Sequence, residues 1–445
     1  MAQRCGRGIV RRLAGLVVPL AALAALVAGC GRDDGGTVVR FWAMGREGEV
    51  VRELLADFER ENPDLRVDVQ QIPWTAAHEK LLTAHVGHAT PDVAQLGNTW
   101  LSEFVALDAI APLDARAAAD PAIDPADHFP GIWDTNVLDG RLYGVPWYVD
   151  TRVLFYRSDL LAAAGHPTAP QDWASWRAAM RDVVAQAGAD RRYGIFLPLN
   201  EWPPTVILGL QAGSTLLDAD GGLGVFSEPP FRRAFDFYLG LFRDGLAPPV
   251  SNNEIANLYQ EFARGTFAMY ITGPWNLGEF RRRLPEELQD AWATAPLPGP
   301  EPGVPGVSLA GGSSLVIFRD SPRADAAWRL VSFLSRPEQQ ARFYDLTGDL
   351  PAHRGAWERA GIVDDPRARA FRDQLEHVVS TPKVPEWEQI ATRVYERGET
   401  AVRGSATVEE ALTALDEDVA RMLDKRRWLQ ARKARGAAPD GAAPR

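Results

Sequence analysis

The order of strand-like and helix-like segments over residues 38–96 restricts the architecture more than any other feature of the sequence. Val38-Val39-Arg40-Phe41-Trp42 reads as a strand. Val50, Val51, Leu54, Leu55 and Phe58 then share one helical face until Asn62-Pro63 stops the helix. Val67 and Val69 alternate in a second strand that Pro73 closes, and Leu81 and Leu82 sit in a second helix. Asp92-Val93-Ala94-Gln95-Leu96 is a third strand. Strand, helix, strand, helix, strand predicts a parallel sheet of an α/β protein. Ligands of such sheets sit beyond the carboxyl ends of the strands, here residues 43–47, 74–75 and 97–100.

Residues 140–161 divide the chain. Asp139-Gly140 opens a turn, Tyr143-Gly144-Val145-Pro146 ends one strand, and Val153-Leu154-Phe155-Tyr156 is the next. Trp147, Tyr148 and Asp150 lie between them. A buried strand has no use for that carboxylate, whereas a crossing between two lobes exposes it to a cleft. About 400 residues also exceed what one core usually supports, so two lobes are expected. After the crossing come a helix over 173–187, a strand over 193–198 and the loop Asn200-Glu201-Trp202-Pro203-Pro204. A strand over 267–271 ends in Thr272-Gly273-Pro274-Trp275. Residues 295–307 read as a loop, and Gly311-Gly312-Ser313-Ser314 precedes a strand over 315–318. Residues 430–445 lack an apolar period and read as a disordered tail.

The first 29 residues read as a signal peptide rather than as fold. Arg4, Arg7, Arg11 and Arg12 precede an apolar run of 15 residues, 13–27, short of the roughly 20 that span a bilayer. The run ends in Leu26-Val27-Ala28-Gly29-Cys30, small residues directly before a cysteine. That pattern resembles the lipobox of bacterial lipoproteins, in which Cys30 becomes the lipid-bearing N-terminus and residues 30–36 a tether. An ordinary signal peptide with an incidental cysteine is the competing reading. Cleavage removes Cys5, four arginines and no acid, so the net charge goes from −11 to −15 and no free thiol remains. So acidic a chain is a poor candidate for binding nucleic acid.

Fourteen tryptophans are many for this chain, and Trp42, Trp74, Trp100, Trp147, Trp202 and Trp275 fall at strand ends or in loops. An indole packs on the apolar face of a pyranose, while carboxylates accept charge-assisted bonds from vicinal hydroxyls. Glu47, Asp150 and Glu201 share three of these loops; Asn98, Gly312 and Ser313 lie in others. Each tryptophan has core or lobe rim as its alternative, and Glu47, two residues before a helix, has helix cap. Asp150 and Glu201 could also be the acid and base of a secreted glycosidase. No barrel repeat, nucleophile elbow or phosphate loop accompanies them. His78, His85 and His88 stand at about helical intervals with only Glu79 beside them, which reads as a solvated helix face, and no metal or cofactor is expected. A phosphorylated polyol such as glycerol phosphate would need a cluster of cations, for which Arg46, Arg152 and Arg354 are the candidates.

Several pieces occur in a telling order: the lipobox, Thr90-Pro91-Asp92-Val93, Leu142-Tyr143-Gly144-Val145-Pro146, Gly265-Thr266-Phe267-Ala268-Met269, Gly273-Pro274-Trp275, and Gly311-Gly312 followed by Ala326-Ala327. The set resembles the extracellular carbohydrate-binding proteins of ABC importers, the family that includes the maltose-binding protein, over nearly the whole mature chain. The resemblance implies a two-lobed periplasmic-binding-protein fold with a discontinuous chain path and a ligand cleft between the lobes. The first lobe would take 37–149 and 310–344, the second 150–309 and 345–429. It implies a monomer without enzymatic activity that hands a neutral di- or oligosaccharide to permease subunits driven by a cytoplasmic ATPase. A lipid anchor would hold it in the periplasm or on the outer face of the cytoplasmic membrane. Asp150, Glu201 and Trp275 match sugar-contacting positions of the family. Where its maltose-binding member has an aromatic, a histidine and an aspartate after the Pro-Asp strand, this chain has Leu96, Asn98 and Thr99. That departure argues against an identical sugar specificity.

Overall fold

Apolar residues alternate along Thr37–Met44 (β1), which sends Val39, Phe41 and Ala43 into one core and Met44 into another on the opposite face. The computed structural model describes residues 36–188 and 192–436. The signal peptide (1–29), Cys30, nearly all of the tether and the last nine residues of the expected tail lie outside them. After β1 the chain passes through α1 (Gly45–Val50) and α2 (Arg52–Glu61), whose Leu54, Leu55 and Phe58 cover the first face. Then follow β2 (Leu65–Ile72), α3 (Trp74–Val86) and β3 (Val93–Gly97); β1 pairs parallel to both other strands. Asp92 is fully buried ahead of β3, and its carboxylate accepts from Arg40 N, Ser321 Oγ and Arg323 Nε. The acid of the Thr-Pro-Asp-Val string is thus a structural clamp, satisfied on every side as a buried charge must be.

Strand β4 (Val145–Asp150) belongs to the first sheet, and β5 (Val153–Arg157) starts the second after only Thr151 and Arg152. The second half then lays down α4 (Trp173–Gln186), β6 (Tyr193–Phe196), α5 (Pro203–Gln211), α6 (Pro229–Arg243), α7 (Leu258–Arg264), β7 (Phe267–Thr272), α8 (Trp275–Arg283) and β8 (Trp292–Ala295). The chain returns through β9 (Ser308–Leu309) into β10 (Gly311–Ile317), then α9 (Ala324–Ser335) and α10 (Pro337–Thr347). It crosses again at residues 348–353, where Val149 N donates to Leu350 O, and continues with α11 (Arg354–Arg359), β11 (Val378–Val379), α12 (Trp387–Val402), α13 (Val408–Met422) and α14 (Asp424–Gly436). The first sheet has the order β2-β1-β3-β10-β4 and the second β8-β5-β7-β6. Strand β10 runs antiparallel to both of its neighbours. Helices α4, α6, α12 and α13 pack one face of the second sheet through Trp176, Phe235, Leu239 and Trp387. Phe155, Phe280, Trp292 and Phe371 fill the other.

Four expectations change. Trp147 in β4 is core, its indole stacked 4.3 Å from the Phe343 ring. Gly311-Gly312-Ser313-Ser314 is strand, because β10 pairs with β3 and β4 along it. The sequence 430–436 is helical rather than disordered, the end of α14. His78 is no solvated residue, since its Nε2 is 2.7 Å from Glu103 Oε2 and its ring lies against Trp100.

Candidate functional site

The carboxyl ends of the first sheet's parallel strands, the tops of the second sheet and the crossing strands enclose a cleft of about 560 Å³. That size suits a small organic ligand. Three residues come from the turns after β1, β2 and β3: Glu47 in α1, Trp74 at the first position of α3, and Trp100. Trp74 and Trp100 meet edge to face, 5.8 Å between ring centroids at 64°, and His78 backs Trp100 at 5.0 Å. From the other side come Trp202, set edge-on against Trp387, and Trp275 at the start of α8. Trp275 folds back over Gly273, where a Cβ would stand 1.9 Å from the indole Cζ3. Only glycine leaves room for it. Its ring carries the Arg152 guanidinium 4.4 Å from the centroid.

The floor is a buried polar network. Tyr148 Oη donates to Glu47 Oε1 at 2.7 Å and accepts from Ser313 Oγ and Gln95 Nε2. Gln95 Oε1 in turn accepts from Met44 N, so α1 is fixed to the sheet. Burial pushes the Glu47 carboxyl above the ordinary range, against the hydrogen bonds from Tyr148 and Trp74. Asp349, buried beside it on the third crossing, is raised well above its usual value by burial and by the charge of Glu47. Asp150 stands at the end of β4 with Oδ1 unbonded and 3.6 Å from Arg152 Nε; burial raises its pKa and Arg152 opposes the rise. Gly312 adopts φ +140°, and a Cβ there would meet Tyr148 O at 2.2 Å. This closeness lets β10 lie under the network.

Nine of the eleven expected ligand residues therefore line one cleft: Glu47, Trp74, Asn98, Trp100, Asp150, Trp202, Trp275, Gly312 and Ser313. Asn98 and Ser313 are spoken for, since Asn98 bonds Thr135 Oγ1 and Ser314 Oγ, and Ser313 bonds Tyr148. Two of the eleven are absent from that lining. Arg354 starts α11 away from the cleft, over the Phe129 ring and 3.4 Å from Glu376. Glu201 is not among the lining residues; its Oε1 accepts from Asn252 Nδ2 at 2.6 Å, and its charge still adds to the rise of the Asp150 pKa. Asp349, Thr381 and Glu388 line the cleft without having been anticipated. Thr99 Oγ1 donates to Glu388 Oε1 at 2.5 Å, tying the turn after β3 to α12. Asp349 carried a readable signal in Gly348, whose φ of +84° ends α10 just before it. Glu388, in the first turn of a helix, carried none.

Residues 44–341 match the family described as bacterial extracellular solute-binding protein. The solved sugar-binding protein MalE from the phytopathogen Xanthomonas citri is 49% identical, with a TM-score of 0.85 over 89% of this chain and 99% of that one. An uncharacterized lipoprotein in the oleD 5' region of Streptomyces antibioticus is 28% identical over 420 residues, 89% of this chain and 90% of that one. The galactooligosaccharide-binding protein of Bacillus subtilis (strain 168) is 23% identical over 409 residues, 88% of this chain and 93% of that one.

Proposed function

Because the chain belongs to the bacterial extracellular solute-binding proteins, we propose that it captures a neutral di- or oligosaccharide and delivers it, unaltered, to the permease of an ABC importer. One observation carries this reading: indoles from both sides of the cleft, Trp74 and Trp100 facing Trp202 and Trp275, surround the carboxylates of Glu47, Asp150 and Asp349. A ligand gripped by both walls favours the closed arrangement of the lobes, and closure needs no further device than that differential contact. The name of the Xanthomonas citri relative supports sugar as the ligand class.

Sheet membership supports lobes of 37–149 with 310–344 and of 150–309 with 345–429, apart from α10, which runs on to Thr347. The Leu26-Val27-Ala28-Gly29-Cys30 string supports acylation at Cys30 and a chain tethered outside the cytoplasmic membrane, and one relative is named a lipoprotein. A phosphorylated polyol fits less well. Of its three candidate cations Arg354 is outside the cleft, and Arg152 already serves Trp275 and Asp150. A dianion would also lie beside carboxylates that burial already makes hard to charge. The glycosidase reading has less support, since Glu201 is absent from the residues that line the cleft and its Oε1 is engaged by Asn252.

Titration calorimetry against mono- and oligosaccharides and glycerol phosphate, with chromatography of the sugar afterwards, tests the proposal. A saturable, intact sugar is the expected outcome. Binding of glycerol phosphate alone, or hydrolysis products, would overturn it.

A further inference from the structure

Three tryptophans of the described chain stand among its exposed large apolar residues. Trp74 and Trp275 serve the cleft, but Trp428, 54% exposed, is the most exposed of the three and lies outside it. It belongs to α14, which carries six Lys or Arg residues and one Asp in 13 residues of an otherwise acidic chain. The helix has two sides. On the inner one Arg427 donates to Gly222 O and Ala420 O, and Gln430 donates to Asp220 O, so polar bonds to a loop and to the end of α13 hold the helix down. On the outer one Lys425, Trp428, Leu429 and Arg432 share a face at helical spacing, all exposed, with the Arg432 guanidinium 5.5 Å from the Trp428 ring centroid.

We infer that this outer face docks on an anionic phospholipid surface. Each cation near such a surface adds attraction, and an indole beside a leucine is the side-chain pair that settles at the headgroup level. Asp220 and Asp424 lie on the helix's inner side, where Gln430 and Arg427 hold them, and screening within about 10 Å weakens the repulsion from acids farther off. A second copy of the chain fits worse, because two molecules of net charge −11 or −15 repel one another. The inference is independent of what the cleft binds.

The test uses the chain from residue 31 onward, which holds both sheets, mixed with vesicles of phosphatidylcholine with or without phosphatidylglycerol. Sedimentation should show binding to the phosphatidylglycerol vesicles alone, weakened by salt. Lys425→Glu with Arg432→Glu should lower it about tenfold or more, and Trp428→Ala should lower it as well. All variants should melt like the parent. Equal binding to both vesicle types, or no effect of the charge reversal, would overturn the inference. So would a dimer in analytical ultracentrifugation that Trp428→Ala dissolves, which would assign the face to self-association.

Discussion

Trp275 is held in place by Gly273, over which its ring is folded, and by Arg152, the cation lying on that ring. With 37% of its surface open it contributes little to the core, so Trp275→Ala should leave the denaturation midpoint almost unchanged. Sugar affinity should fall by about 1–3 kcal/mol, as for a truncated hot spot. A loss of about 3–5 kcal/mol in stability with unchanged affinity would make the residue core instead. Asp349 makes a prediction of opposite character. Burial and Glu47 raise its folded pKa above the unfolded value of about 3.9, so the folded state holds more protons than the unfolded chain above that pH. Its effect is therefore to lower stability as pH rises through the window between the two values. Asp349→Asn should flatten that decline, raising the melting temperature relative to the parent at neutral and alkaline pH and matching it in acid. Parallel melting curves at every pH would show that the carboxyl is not held in this way.

Strand β10 illustrates how far the sequence leads at the level of elements. The sequence places its start at Leu315, yet pairing with β3 and β4 extends the strand back through Gly311-Gly312-Ser313-Ser314. Gly312→Ala should cost about 1–3 kcal/mol in a denaturant titration, because the φ of +140° is strained for alanine and the new Cβ would press on a backbone carbonyl that cannot turn away. An unchanged midpoint would mean that β10 and β4 part locally to admit a side chain. The βαβαβ start and the crossing after Asp150 were legible, because period-2 and helical alternation with Pro and Gly stops are local signals. The burial of Trp147 was not, since it depends on Phe41 and Phe343, partners far away in sequence. Asp349 and Glu388 reach the cleft only because the chain crosses back after α10, and the bond that engages Glu201 comes from Asn252, 51 residues away in sequence. Helix α14 escaped notice because polar bonds to a loop, rather than an apolar stripe, hold it in place.

At the scale of the whole molecule, export and capture are separate claims. Cys30→Ala should yield protein that no longer partitions into detergent as a lipoprotein does, being released or left with its leader uncleaved; unchanged partitioning would refute the lipobox. Capture rests on two sheets joined by short crossings, with polar and aromatic groups from both sides converging on one cleft. If the sugar binds both walls, its binding energy is spent partly on drawing them together, and the molecule must contract when saturated. Small-angle X-ray scattering of the chain from residue 31 onward, with and without a saturating oligosaccharide chosen by calorimetry, measures that directly. The account predicts a smaller radius of gyration in the saturated sample, reversed when the intact sugar is dialysed away; saturation with no change in radius would contradict it.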